Sequence, residues 1–400
     1  MSWATMKIII VEYNMFSKSN YARLGVELLT HKGYDVRLWD ITSIAKPIYF
    51  NKYTLPAHQV LPQEVRDKII FTKNRDHFHD LVKSLTNNDI VIVPSNLNTV
   101  FPYAVEIFTL YNIRYGTYLL TTFLGIKSKL TLFQLVKSHL RNPISAFKKF
   151  IFKFYNKHRL PVWAPEFILV GGEEESQRVA SFSTSDSFPH VIKAHTFDYD
   201  TYLREENYNR DRIIKGKEYA VFIDEYLTQY DCQDFVESQT SPVITAEEYY
   251  PSLNKLFEYI ENQFNLEVIV AAHPLSNYDK SSNPYNNRKM ICHETINLVK
   301  HSTLVLTHNS TSLCFAVLYY KPMVFLAHKA FSDPLKNLRI QLIAKYFGVT
   351  PIELSNNNRY FNPLPMVDSD TYDRYKFTWI KEKGTKEKYI WDIFSDYLKK

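Results

Sequence analysis

Short apolar runs, each ending at a polar turn and followed by a helical pattern, recur along the chain and restrict its fold more than any other feature. Residues 8–11 (Ile-Ile-Ile-Val), 89–93 (Asp-Ile-Val-Ile-Val), 219–223 and 266–272 are four of them, and 304–306 and 323–326 two more. Runs this short and this apolar read as strands covered on both faces, and strands alternating with helices imply a parallel sheet. Strand 8–12, a helix over 20–31 and strand 35–39 make a β-α-β opening, with His31-Lys32-Gly33 as the helix stop. A helix is expected over 62–70 or 76–85, then a helix over 105–111 and strands over 116–120, 167–170 and 191–194.

The charged, Asn-rich stretch 204–217 lacks periodic apolar positions and reads as a connection between two such sets. The second set runs through strands 219–223, 266–272, 289–292, 304–306 and 323–326, with helices over 246–261, 295–301, 311–320 and 334–347. The expected fold class is therefore α/β, as two Rossmann-like domains facing across a cleft: 1–205, 206–380 and a closing helix within 381–400. A length of 400 residues fits that division.

Several function classes fall away. With 9 glycines and neither G-x-G-x-x-G nor G-x-x-x-x-G-K-[ST], the chain is not a dinucleotide-fingerprint or P-loop protein. Cys232, Cys292 and Cys314 are widely spaced without a C-x-x-C or zinc signature, so they read as reduced thiols of a cytosolic protein. No long apolar segment opens the chain, and no run reaches the roughly 18 residues of a membrane span.

The net charge of +6 is unevenly placed, because residues 107–165 contain ten Lys or Arg and no Asp or Glu. Within them a basic helical insertion at about 125–160 carries Phe147, Phe150, Ile151 and Phe154 on one face and Lys149, Lys153 and Lys157 on another. Such a helix suits an anionic membrane surface, with packing on the sheet as the competing use of its Phe face. The insertion lacks a recognised nucleic-acid-binding motif, so no nucleic-acid partner is expected.

Three strand ends carry chemistry. Asp224-Glu225 follows the first strand of the second domain, His273-Pro274 follows strand 266–272, and His308-Asn309-Ser310-Thr311-Ser312 lies between strand 304–306 and the next helix. Open α/β sheets bind ligands at the carboxyl edge. A partly desolvated Asp224 or Glu225 would serve as general base there, or cap a turn. His273 would stabilise a departing phosphate, or sit neutral in the core. The hydroxyls of 310–312, beside unpaired N–H groups at a helix start, suit a phosphate and equally suit ordinary N-capping. The two D-x-D matches, Asp198/Asp200 and Asp368/Asp370, lie away from that crevice, so no metal is expected in the reaction.

Asp224-Glu225, His273-Pro274 and Ser310-Thr311-Ser312, in that order, resemble the acidic, H-P and Ser/Thr motifs of bacterial sialyltransferase-type, nonulosonic-acid glycosyltransferases of GT-B fold. The resemblance covers mainly 219–326, and Tyr226 stands where the acidic motif carries Gly. It implies an inverting, metal- and cofactor-independent transfer of a sialic-acid-like or Kdo-like sugar from a CMP-activated donor to a surface-glycan or lipid-linked glycan acceptor. It also implies an acidic base at Asp224 or Glu225 and a His273 that assists CMP departure. Donor-binding residues would be Pro274, His308, Asn309, Ser310, Thr311 and Ser312. The expected site is the cytoplasm, peripheral on the inner face of the cell membrane through 125–160. A UDP-, GDP- or CDP-linked donor, and a non-catalytic sugar- or nucleotide-binding protein, are the competing readings.

Overall fold

A computed structural model describes residues 6–121, 165–181, 189–228, 242–278, 283–356 and 361–400. The basic insertion at 125–160 and Cys232 lie outside the described residues. Seven parallel strands form the first sheet: β1 (Lys7–Glu12), β2 (Asp35–Asp40), β3 (Ile69–Phe71), β4 (Ile90–Pro94), β5 (Tyr115–Leu119), β6 (Phe167–Gly171) and β7 (His190–Ala194), in the order β3-β2-β1-β4-β5-β6-β7. Six form the second: β8 (Tyr219–Ile223), β9 (Glu267–Ala272), β10 (Met290–Cys292), β11 (Leu304–Thr307), β12 (Met323–Ala327) and β13 (Ile352–Glu353), in the order β10-β9-β8-β11-β12-β13. The strands β1, β4, β8, β9, β11 and β12 are almost entirely buried, as covering on both faces demands.

In both sheets the strand order reverses next to the strand that opens the domain, between β1 and β4 and between β8 and β11. At such a switch point the loops leave in opposite directions and open a crevice at the carboxyl edge. These are two Rossmann-like domains of the GT-B kind.

Two elements stitch the domains together. The helix Phe197–Tyr208 places Phe197 in the core of the first sheet and Tyr199 in that of the second. The last helix, Ile390–Leu398, returns to the first domain, where Ile390, Trp391 and Phe394 are fully buried. Each large apolar side chain buried this way contributes roughly 1.5–3 kcal/mol. Trp391 Nε1 also donates to the Arg23 carbonyl at 2.7 Å, and the Ile390 N–H to Asp200 Oδ1 at 2.8 Å.

The structure departs from the sequence-based expectations at four places. The helix expected over 20–31 is two, Lys18–Arg23 and Val26–His31, broken at Gly25. Gly25 has φ +62°, and a Cβ there would stand 2.0 Å from Trp391 Cδ1, so the break is where the last helix seats. Of the alternatives 62–70 and 76–85 the second holds the longer helix, Arg75–Lys83, whereas within 62–70 only Gln63–Arg66 is helical, because Ile69 and Ile70 pair with Leu38 and Trp39 as an edge strand. Residues 204–208 continue the helix Phe197–Tyr208 rather than a linker, and its chain leaves at Asn209, left-handed at φ +42°. The helix after β11 is Leu313–Leu318, six residues instead of 311–320. Among the described residues, no helix is long and apolar enough to cross a membrane.

Candidate active site

Asp224, His273, Pro274 and the hydroxyl trio Ser310, Thr311 and Ser312 line one pocket, although they lie as many as 88 positions apart in the chain (312 minus 224). Topology accounts for the meeting. The loops carrying them follow β8, β9 and β11, neighbours in the sheet that flank its switch point.

Asp224 is buried at the floor. Its Oδ1 accepts the Tyr226 N–H at 2.9 Å, and its Oδ2 accepts the His273 N–H at 3.4 Å and the Tyr278 hydroxyl at 3.1 Å. Burial pushes its pKa above the ordinary Asp value, against the lowering effect of those N–H groups and of His273. A carboxylate raised in this way is a better proton acceptor near neutral pH than an exposed one.

Tyr226 has a φ of +55°, in the left-handed region that glycine occupies without penalty, and holds it at the cost of local strain. The ring stacks parallel to that of His273 with centroids 6.3 Å apart, and its hydroxyl accepts the Asn277 N–H at 3.2 Å. A side chain at this position thus supports the histidine loop, which glycine could not do.

His273 Nδ1 accepts the Leu275 N–H at 3.2 Å, so the neutral imidazole carries its proton on Nε2. An Nε2–H is the form that donates to a phosphate oxygen. Next to it the Ser310 Oγ accepts the Ser312 N–H at 3.2 Å, which shapes the turn and presents the three side chains together. Because the following helix spans only six residues, its dipole is small, and any anion contact rests mainly on the hydroxyls and His273.

Glu225, His308 and Asn309 do not line this pocket. Glu225 is ion-paired with Lys336, and its Oε1 accepts the Asn309 N–H at 2.8 Å. Although burial alone would raise its pKa, Lys336 and the Asn309 N–H bring it below the ordinary Glu value. A carboxylate held ionised by a buried ammonium is a poor proton acceptor, so of the two acids Asp224 is the one placed for base chemistry. His308 is fully buried: Nδ1 donates to the Leu326 carbonyl at 2.6 Å and Nε2 accepts from the Tyr249 hydroxyl at 2.7 Å. Burial pulls its pKa down to about 4, which leaves it a neutral strut beneath the 309–312 loop.

The opposite wall comes from the first domain: the loop after β1 with Asn14, Met15 and Ser17, then Ser19, Asn20 and Arg23, and the aromatic rings of Tyr49 and Tyr53. Sequence reasoning did not single these out. The available signal was the polar run Ser17-Lys18-Ser19-Asn20 shortly after β1, at the switch point of the first sheet. Arg23 adds a cationic side chain to the lining of the pocket. Behind the wall Glu12 is buried at the end of β1 with Oε1 accepting from the Tyr118 hydroxyl at 2.9 Å. Burial pushes its pKa up to about 8, with Asp40 adding to the rise and Tyr118 and Lys46 opposing it.

The D-x-D pairs serve the fold. Asp200 caps the last helix through Ile390 and lies 3.7 Å from His195, and Asp368 caps the helix Ser369–Tyr375.

No protein-family model matches the chain, and no curated protein matches it in sequence. Solved structures similar to it include CalG4, the calicheamicin glycosyltransferase, at 10% identity over 94% of this chain and 93% of that one, with a TM-score of 0.49. UDP-GlcNAc 2-epimerase from Neisseria meningitidis bound to UDP-GlcNAc is similar at 11% identity over 99% of this chain and 100% of that one, with a TM-score of 0.47. Spinosyn forosaminyltransferase SpnP follows at 11% identity over 93% and 91%, with a TM-score of 0.42. These scores are low, and the fold assignment rests on strand order and the returning helix.

Proposed function

We propose that the protein is an inverting glycosyltransferase that moves a sialic-acid-like or Kdo-like sugar from a CMP-activated donor to a glycan acceptor. The observation that carries the reading is the shared pocket: a buried carboxylate, an imidazole and three hydroxyls face a cationic and aromatic wall from the other domain. The choice of CMP and of this sugar class rests on the order of the acidic, H-P and Ser/Thr motifs, and Arg23 offers a partner for the carboxylate of such a sugar.

In this mechanism the nucleotide phosphate lies against His273 and the 310–312 hydroxyls. The acceptor hydroxyl enters from the Tyr49 and Tyr53 side, and Asp224 takes its proton as its oxygen bonds to the anomeric carbon. The bond from that carbon to the phosphate oxygen breaks on the opposite face, which inverts the centre, and His273 Nε2–H stabilises the negative charge on the leaving phosphate.

A ligand that binds only the folded state raises the melting temperature by mass action. At millimolar concentration CMP is expected to raise it by several degrees, with CDP, UDP and GDP giving less. A dominant shift with UDP or GDP would move the donor to that nucleotide and remove the CMP assignment. No shift with any of the four would contradict a nucleotide-sugar transferase.

A further inference from the structure

We propose that His58, Cys292 and His293 form a binding site for a zinc-like divalent cation that clasps the two domains together beside the His273 loop. His58 lies in the 3₁₀ turn Ala57–Gln59 of the first domain, whereas Cys292 ends β10 and His293 follows it in the second. The ligand atoms of the three residues all lie within 4.8 Å of one another. A tetrahedral set with bonds of about 2.0–2.3 Å needs separations of roughly 3.3–3.8 Å, so the three side chains would draw closer on binding.

The hydrogen bonding of His58 favours a metal over a chance meeting of side chains. His58 Nε2 donates to the Pro274 carbonyl at 2.8 Å, which leaves Nδ1 as the lone-pair nitrogen. That is the arrangement of metal-bound histidines, whose second nitrogen donates to a carbonyl. His293 sits at φ +66°, in the left-handed region that His enters more readily than most side chains, between the end of β10 and the helix Thr295–His301.

The donor set selects the ion. Two imidazoles and a thiolate suit zinc and similar borderline-soft cations and are poor ligands for magnesium or calcium. Binding releases the Cys292 proton, because the thiolate is the ligand. The widely spaced ligands escape a search for short zinc motifs: they come from a turn and a strand end 234 positions apart (292 minus 58) that only the domain contact brings together. The cluster does not line the nucleotide pocket, but it grips the same loop. Pro274 O is the acceptor for both His58 and Gln59, the latter at 3.0 Å, and the Cys292 thiol lies 3.8 Å from the His273 carbonyl. A bound cation would therefore fix the loop that carries His273 and the spacing of the two domains.

The test uses the full-length, chelator-treated protein without any sugar substrate, so its outcome is independent of the proposed reaction. Zinc is expected to bind at one equivalent and to raise the melting temperature. Cobalt is expected to give the near-ultraviolet thiolate charge-transfer band and intense visible bands of a tetrahedral site. His58→Ala, Cys292→Ser and His293→Asn, the last tolerant of the left-handed backbone, should each weaken zinc at least about a hundredfold, the upper end of losses seen for outer-shell partners. His31→Ala, a histidine of the first domain away from the cluster, should bind zinc unchanged. Protection of Cys292 from alkylation by zinc gives a readout in the unmutated protein. Absence of one-equivalent binding, cobalt spectra without a thiolate band, or unaltered affinity in the three variants would overturn the site.

Discussion

Asp224→Asn and His273→Ala are each expected to lower sugar transfer by at least about a hundredfold while leaving the protein folded, the scale on which positioned acid–base groups act. Asn keeps an acceptor for the Tyr226 N–H but sets an amide nitrogen where Oδ2 accepts the His273 N–H and the Tyr278 hydroxyl, so thermal unfolding of the variant is measured beside its activity. The distinction between the two residues lies in the pH profile. Asp224 supplies an acid limb, lying above the ordinary Asp range because of burial, and that limb should be absent from the residual rate of Asp224→Asn. His273→Ala should keep the limb and lose rate at every pH. Steady-state transfer over the pH range checks both; near-normal turnover in either variant removes that residue from the mechanism.

Glu12→Gln is expected to leave stability little changed near pH 5 and to make the protein more stable than the native chain above pH 8. The Glu12 pKa is raised from 4.5 to about 8 in the folded state. Below 4.5 both folded and unfolded chains hold the proton. As pH rises the unfolded chain releases it first, so native stability falls by about 1.4 kcal/mol per unit until the folded carboxyl also ionises. The total is about 5 kcal/mol at most. Gln has no such proton and still accepts from Tyr118. Urea unfolding of both proteins at pH 5 and pH 8.5 measures the effect, and an equal difference at the two pH values would show that Glu12 is not held protonated.

How much of this was legible in the sequence depends on the range over which each feature is determined. β1, β4, β8, β9, β11 and β12 announce themselves because burial on both faces writes a continuous apolar run, and the alternation with helices implies parallel sheets. Gly25 and β3 escaped because their conformations are set from afar, by Trp391 of the last helix and by Leu38 and Trp39 of a neighbouring strand. Tertiary contacts outweigh local propensity at such places.

The site divides the same way. Asp224, His273 and Ser310 to Ser312 were visible because they end apolar runs, and residues that end neighbouring parallel strands meet. Glu225 and His308 satisfy the same positional rule, yet their side chains turn to Lys336 and to Tyr249 and Leu326, partners no local pattern reveals. Arg23, Tyr49 and Tyr53 belong to the other domain, and their place opposite His273 follows only from how the two domains pack.

The most direct measurement is calorimetric titration of CMP into the native protein, into His273→Ala and into the double variant Ser310→Ala/Thr311→Ala. One phosphate held jointly by the imidazole and the hydroxyl loop predicts that CMP binds the native chain at one equivalent and that both variants lose at least about tenfold in affinity, the worth of one charge-assisted hydrogen bond. Equal CMP affinity in all three proteins would mean that His273 and the 310–312 loop do not share a nucleotide.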